Sequence, residues 1–136
     1  MQTYAPILLR NAADIEKARE GFIREDQIRE VSVNALADTG AGTLVINEEI
    51  WKQLGLGVIG LRRVSLGNNV KEICQMSSGV HITWKDRSTV CSAIVISGDG
   101  GVLLGAFPLG DMDLVVHPGT QELVGAHGDD VVCLVM

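Results

Sequence analysis

Between residues 31 and 46 an apolar run, VSVNALA, ends on Asp38, turns through Thr39-Gly40-Ala41-Gly42, and gives way to a second run, TLVI. No other stretch restricts the possible folds as tightly. Val31, Val33, Ala35 and Ala37 alternate, and Leu36 fills the gap before the last of them, the pattern of a strand whose two faces are both becoming buried. A carboxylate at the end of such a strand is expected near the core. There it must be neutralised, paired or heavily hydrogen-bonded, because stripping its water is costly. The nearest basic residues in the sequence are Arg29 and Lys52, so no local cation answers it. Thr39 offers a hydroxyl, and Gly40 and Gly42 let the backbone turn tightly and aim amides at the acid. The plain alternative is an Asx-turn that merely closes a hairpin.

The remaining composition narrows the class. Hydrophobic residues make up 46% of the 136 positions but aromatics only 4%, so the core must be built from Val, Ile, Leu and Ala. Sixteen glycines against three prolines supply many tight turns, which suits an all-β fold over a single domain spanning residues 1–136. The net charge of -6 and a scattered basic set, Arg62-Arg63 aside, argue against nucleic acid, which is bound by clustered cations. No apolar run approaches the roughly 18 residues needed to span a bilayer, and the N-terminus has neither a basic leader nor a long apolar stretch. The expectation is therefore no membrane and, by default, a cytoplasmic location. Cys74, Cys91 and Cys133 lack metal-type spacing and read as small apolar residues in strands.

Along the chain, YAPILLR predicts a strand and NAADIEKAREG a helix capped by Asn11 and stopped by Gly21. FIREDQIREV reads as a polar connection with a helical turn. After the strand into Asp38 and the TLVI strand, Asn47 caps EEIWKQL and Gly55 ends it. Two alternating runs around Gly67-Asn68-Asn69 predict a hairpin, and a second hairpin turns near Lys85-Asp86-Arg87. VLLGAF is an apolar strand ending on Gly105, PLGDM a helical turn, DLVVHPGTQELVG a hairpin over Pro118-Gly119, and VVCLVM a last strand.

Asp38-Thr39-Gly40-Ala41 at the end of an apolar strand, the Gly-bearing hairpin, and then Leu103-Leu104-Gly105 form an ordered set that resembles the retropepsin-like aspartic proteases, most of all their small bacterial members. The resemblance covers roughly residues 30–118. It implies an acid-protease-type closed barrel of hairpins with one or two short helices, one lobe per chain. Asp38 matches the catalytic carboxylate, Thr39 the hydroxyl that locks two active-site loops across a dimer, and Gly40 and Ala41 the positions that bring backbone close to the acid and the substrate. Leu66, Gly67, Asn68, Asn69 and Val70 fall where the family has its flap, and Leu103, Leu104 and Gly105 match the segment that braces the catalytic loop. Ala41, Leu66, Gly67, Asn68, Asn69, Leu103, Leu104 and Gly105 are thus the expected substrate-binding residues. Two departures stand out. Ala106 occupies a position where viral members often carry Arg, and the flap tip has one Gly followed by two Asn.

Hydrolysis by this route needs one carboxylate to take a proton from water while a protonated neighbour polarises the scissile carbonyl. The chain has one D-T-G and no D-S-G, so the resemblance implies a homodimer with a shared site, acting on a peptide or protein substrate without cofactor or metal. The two apolar chain ends, APILL and VVCLVM, either interleave across that interface or complete each chain's own sheet. His81, His117 and His127 fit no ligand spacing, and Cys74 with His81 lacks a nucleophile signature. Asp99, Asp111, Asp113, Asp129 and Asp130 read as solvated turn residues, and Trp51 and Trp84 as packing, with Trp84 open to a role in a pocket wall. The rival from another class is a retropepsin-like dimer kept as a binding or scaffold module with little or no proteolysis.

Overall fold

Strand β1 (Tyr4–Asn11) shows how the chain satisfies a low-aromatic core: Ala5, Ile7 and Leu9 face inward, while Tyr4 and Pro6 face water. The computed structural model describes residues 2–65 and 69–135. Helix α1 (Ala12–Arg19) starts where Asn11 accepts a hydrogen bond from the Asp14 amide at 3.0 Å, and the Asn11 side chain also donates to the Leu54 carbonyl at 2.8 Å. Asp14, only 3% exposed, receives Nε and Nη2 of Arg29 at 2.8 and 2.9 Å and the Arg29 amide at 3.0 Å. Those hydrogen bonds hold the Asp14 carboxyl below its usual pKa against the opposing effect of burial. The pair ties α1 to the chain entering β2 (Glu30–Ala37), past a single 3-10 turn at Glu25–Gln27.

Next come β3 (Leu44–Asn47), α2 (Glu48–Gln53), and the hairpin β4 (Val58–Ser65) and β5 (Lys71–Ser77). Asn47 caps α2 by accepting from the Ile50 amide at 2.9 Å, and Gly55 follows it at φ +61°. The second hairpin, β6 (Val80–Trp84) and β7 (Arg87–Cys91), turns over Lys85-Asp86, with Lys85 at φ +50°. It leads to β8 (Ala93–Ile96), β9 (Leu103–Leu104), α3 (Ala106–Asp111), and the small ribbon β10 (Leu114–Val116) and β11 (Leu123–Gly125).

Among the described residues, nine strands form one sheet in the order β4-β5-β8-β3-β9-β2-β1-β6-β7, and β10 pairs only with β11. The sheet curls into a half-barrel around Leu9, Leu44, Ile46, Leu54, Ile82 and Leu104, all fully buried. Each such aliphatic side chain stabilises the fold by about 1.5–3 kcal/mol before its entropy is counted. The all-β reading holds, with three short helices among the described residues. One crossing positions everything that follows: β9 lies between β2, which it parallels, and β3, to which it runs antiparallel, although β2 and β3 are consecutive in the chain.

The chain ends differ from one another. β1 is held on both sides, by β2 and β6, so the N-terminal run completes the chain's own sheet. The C-terminal run is not a strand: residues 131–135 join no sheet among the described residues, and Leu134 and Val135 are 86% and 90% exposed. Apolar β-prone side chains create a preference for a ladder but cannot supply a partner edge. Cys133 is exposed with them, whereas Cys74 sits buried in β5 and Cys91 half-buried in β7. Leu66, Gly67 and Asn68, the expected flap tip, lie outside the described residues. Asn69, beside them, has φ +62°.

Two of the acids expected in solvated turns do structural work instead. Asp111 accepts from Thr89 Oγ1 at 2.6 Å, and Asp113 accepts from His127 Nδ1 at 2.7 Å and the Val132 amide at 3.0 Å. The His127 contact is the largest of the influences that lower the Asp113 pKa. Arg87, 6% exposed, donates to the carbonyls of Met112, Asp113, Gly128 and Asp130, binding the chain after α3 to β7 without any carboxylate. A buried guanidinium with five donors can be satisfied by carbonyls alone.

Candidate active site

The backbone around Asp38 is held from both sides of the crossing. Leu36 N donates to Val102 O at 2.9 Å and Asp38 N to Leu104 O at 3.0 Å, so the end of β2 is fixed by β9. Beyond it, Gly40 N donates to Asp38 Oδ1 at 2.9 Å and Ala41 N to Asp38 O at 3.1 Å. The loop is then clamped from the start of α3: Ala106 N reaches Ala41 O at 2.8 Å and Phe107 N reaches Gly42 O at 3.1 Å. Gly105 makes that approach possible. A Cβ on it would stand 2.2 Å from Thr43 O and 2.7 Å from Ala41 O, both backbone atoms that cannot give way cheaply.

The Asx-type turn at Asp38 and Gly40 therefore exists, but it closes no hairpin, because β9 separates β2 from β3. Asp38 is half-buried rather than in the core. The reason is that the sheet has two apolar faces. Leu44, Ile46, Ala93 and Val95 fill the core on one side, and Val45, Ile94, Ile96 and Leu103 line an open cleft of about 980 Å³ on the other. Asp38 lines that cleft with Gly40, Ala41 and Gly42, and residues 62–65 of β4 and Met76 of β5 line it too. Among the described residues it is the one carboxylate lining the cleft, and no cation pairs with it.

The structure thus brings Asp38, Gly40, Ala41 and Leu103 together in one cleft. Thr39 is exposed beside them, and its hydroxyl has no hydrogen-bond partner among the described residues. Leu104 points the other way and is fully buried in the core, while Gly105 lies buried beneath the loop. Neither touches the cleft. Asn69 is exposed at the hairpin end and does not line it. Sequence reasoning missed Val45, Ile94, Met76 and Phe107, which line it, because a cleft-facing aliphatic strand has the same alternation as a core-facing one. Arg62 and Arg63 also line it, and their signal was the isolated charge doublet.

Cys74, His81, His117 and His127 do not line the cleft. Burial pushes the Cys74 thiol up in pKa, the wrong direction for a nucleophile. His81 is half-buried on β6, where desolvation and Arg10 lower its pKa, and His127 is engaged by Asp113. Trp84 is 7% exposed within the core and does not line the cleft.

The family described as aspartyl protease, which is of retropepsin-like type, matches residues 26–121 of the sequence, well over half of the chain. The chain belongs to the aspartyl protease family. No curated protein sequence matches it. Within this aspartyl protease domain the matched region runs from the 3-10 turn before β2 to the loop before β11. It therefore includes the Asp38 loop, the β4–β5 hairpin and the β9–α3 clamp, and leaves out β1 and α1. Membership supports aspartic-protease-type chemistry in general terms, and no helix of the described residues is long and apolar enough to cross a membrane.

Proposed function

We propose that the chain is an aspartic endopeptidase that works as a symmetric homodimer, each chain giving one Asp38 to a shared site. The observation that carries this is Asp38, the one carboxylate among the described residues lining a cleft whose other side chains are mostly apolar, with three hydroxyl residues and two arginines. One carboxylate cannot both accept a proton from water and donate one to the scissile carbonyl. Two such groups a few ångströms apart cannot both ionise, so they share a proton and divide the roles. In this reading the Gly40 amide orients the ionised Asp38 oxygen, and a substrate strand lies between the loop and the β4–β5 hairpin. Thr39 and Gly40 complete the loop that meets its twofold mate.

Three features favour a second copy. The Thr39 hydroxyl is exposed and unpartnered beside Asp38 among the described residues. Phe107, at the start of the clamp helix, is 53% exposed. The apolar segment 131–135, whose Val132 amide is held by Asp113, joins no sheet among the described residues, and Leu134 and Val135 stand exposed.

The test is digestion of a peptide library at about pH 4–7, the range in which a shared-proton pair is active, with and without a transition-state-mimicking aspartic-protease inhibitor. Inhibitor-blocked cleavage that disappears in Asp38→Asn, with fold and sedimentation unchanged, is the expected result. Activity retained in the purified variant, or a strictly monomeric wild type that still cleaves, refutes the assignment. Silence under every condition supports the dimeric binding module in its place.

A further inference from the structure

The cleft side of the β4–β5 hairpin carries a cation that nothing in the described chain answers. Strand register determines its direction. Met76 lies opposite Ile94 of β8 and both line the cleft. Gly60 lies opposite Met76, Arg62 opposite Cys74 and Val64 opposite Glu72, so Gly60, Arg62 and Val64 share the cleft side of the hairpin after the register shift near Val58. Leu61 and Ile73, 66% and 64% exposed, occupy the opposite side. Arg63 borders the cleft too, but from the alternate position in the pleat.

Neither arginine is in an ion pair among the described residues, including with Glu72 on the same side or with Asp38 in the same cleft. The cleft that Arg62 lines is also lined by the apolar side chains of Val45, Ile94 and Met76. In a protein of net charge -6 the overall field repels anions, so an unpaired guanidinium over an apolar groove is a local exception to it. A guanidinium offers paired donors whose geometry fits a carboxylate, and the attraction gains strength where aliphatic walls exclude water.

We propose that Arg62 is a specificity-determining residue that selects peptides carrying an Asp or Glu side chain close to the scissile bond, with Arg63 adding to the local positive field. The inference rests on the peptidase reading of the Asp38 cleft. A substrate strand lying along the hairpin presents alternate side chains to it, and the position opposite Arg62 is the one that carries the acid.

The experiment uses a matched set of peptides in which Glu, Gln or Lys is walked through each position around one cleaved bond, with kcat/KM measured for wild type, Arg62→Glu, Arg62→Gln and Arg63→Glu. Thermal melts of the variants verify that each is folded. The wild type should prefer Glu over Gln at one position by roughly three- to tenfold, as a partly desolvated ion pair gives. That preference should shrink as salt screens it. Arg62→Gln should abolish it, Arg62→Glu should invert it toward Lys at the same position, and Arg63→Glu should shift it less. Inhibitor-sensitive cleavage that ignores charge, or a preference that survives in folded Arg62→Glu, overturns the assignment of Arg62 alone. Cleavage that persists in Asp38→Asn, or no cleavage of any peptide, removes the peptidase reading and this inference with it.

Discussion

Replacing Gly105 by Ala should damage the molecule far more than one methyl group normally does. The new Cβ would stand 2.2 Å from Thr43 O, 2.7 Å from Ala41 O and 2.8 Å from the Thr43 carbonyl carbon, whereas ordinary contact begins at 3.4 Å. The backbone at Gly105 has φ -87° and ψ -172°, which any residue adopts, so the penalty is steric and owes nothing to torsion. Relief requires the loop to withdraw by about 1 Å, and the bonds Ala106 N to Ala41 O and Phe107 N to Gly42 O would stretch with it. Overpacking of this kind costs about 1–3 kcal/mol, and the upper end applies because all three obstructing atoms are backbone. The smaller unfolded-state entropy of Ala returns about 0.4–1 kcal/mol. The net loss is about 2 kcal/mol, and with a urea dependence of about 2 kcal/mol per molar the unfolding midpoint should fall by about 1 M. Trp51 and Trp84 provide the fluorescence signal. If the Asp38 cleft is catalytic, a displacement of that size should also lower kcat by about 100-fold. Gly42→Ala is the matched control, since a Cβ there meets nothing within 4 Å, and its midpoint should not fall. A Gly105→Ala midpoint equal to wild type would refute the claim that β9 and α3 hold the loop by close backbone approach.

In the proposed dimer, Thr39→Val should weaken self-association, because a hydroxyl bond lost at that interface would leave its partner unsatisfied at about 1–3 kcal/mol per group; sedimentation equilibrium with an unchanged dimer constant would count against it. Asp14→Asn should cost about 1–2 kcal/mol at neutral pH, less than a fully buried pair because the Arg29 side chain is 48% exposed. Because the folded-state pKa of Asp14 is depressed, the pair's contribution is present above the unfolded Asp value, near about 4, and is lost as pH falls through the lower folded value. Urea midpoints of wild type and variant should therefore converge in acid, and a constant difference across the pH range would contradict the ion-pair account.

Much of the fold could be read from local signals because those signals are local physics. Asn11 and Asn47 cap the helices expected of them, Gly21 and Gly55 end those helices at positive φ, and the turn over Lys85-Asp86 joins the two strands that alternation predicts. The cleft positions of Asp38, Gly40 and Ala41 were legible for a related reason, a carboxylate followed by small residues at the end of an apolar strand, while Leu103 was legible only through the family resemblance. Leu104 and Gly105 were legible as neighbours of the site, though the side chain of one packs in the core and the other serves by having none. The Arg29 partner of Asp14 and the carbonyl cage of Arg87 were not legible, because their partners arrive from distant parts of the chain.

What the sequence determined by itself was the alphabet of short strands and tight turns, the aliphatic character of the interior, and the single acid in a glycine-bounded loop. Only the tertiary structure decided that β9 passes between β2 and β3, so that the loop is a clamped shelf and not a hairpin tip. It alone separated Val45 and Ile94, which line the cleft, from Leu44 and Val95, which fill the core. Alternation shows that a strand has two faces, but which face meets solvent depends on what the rest of the chain lays against it.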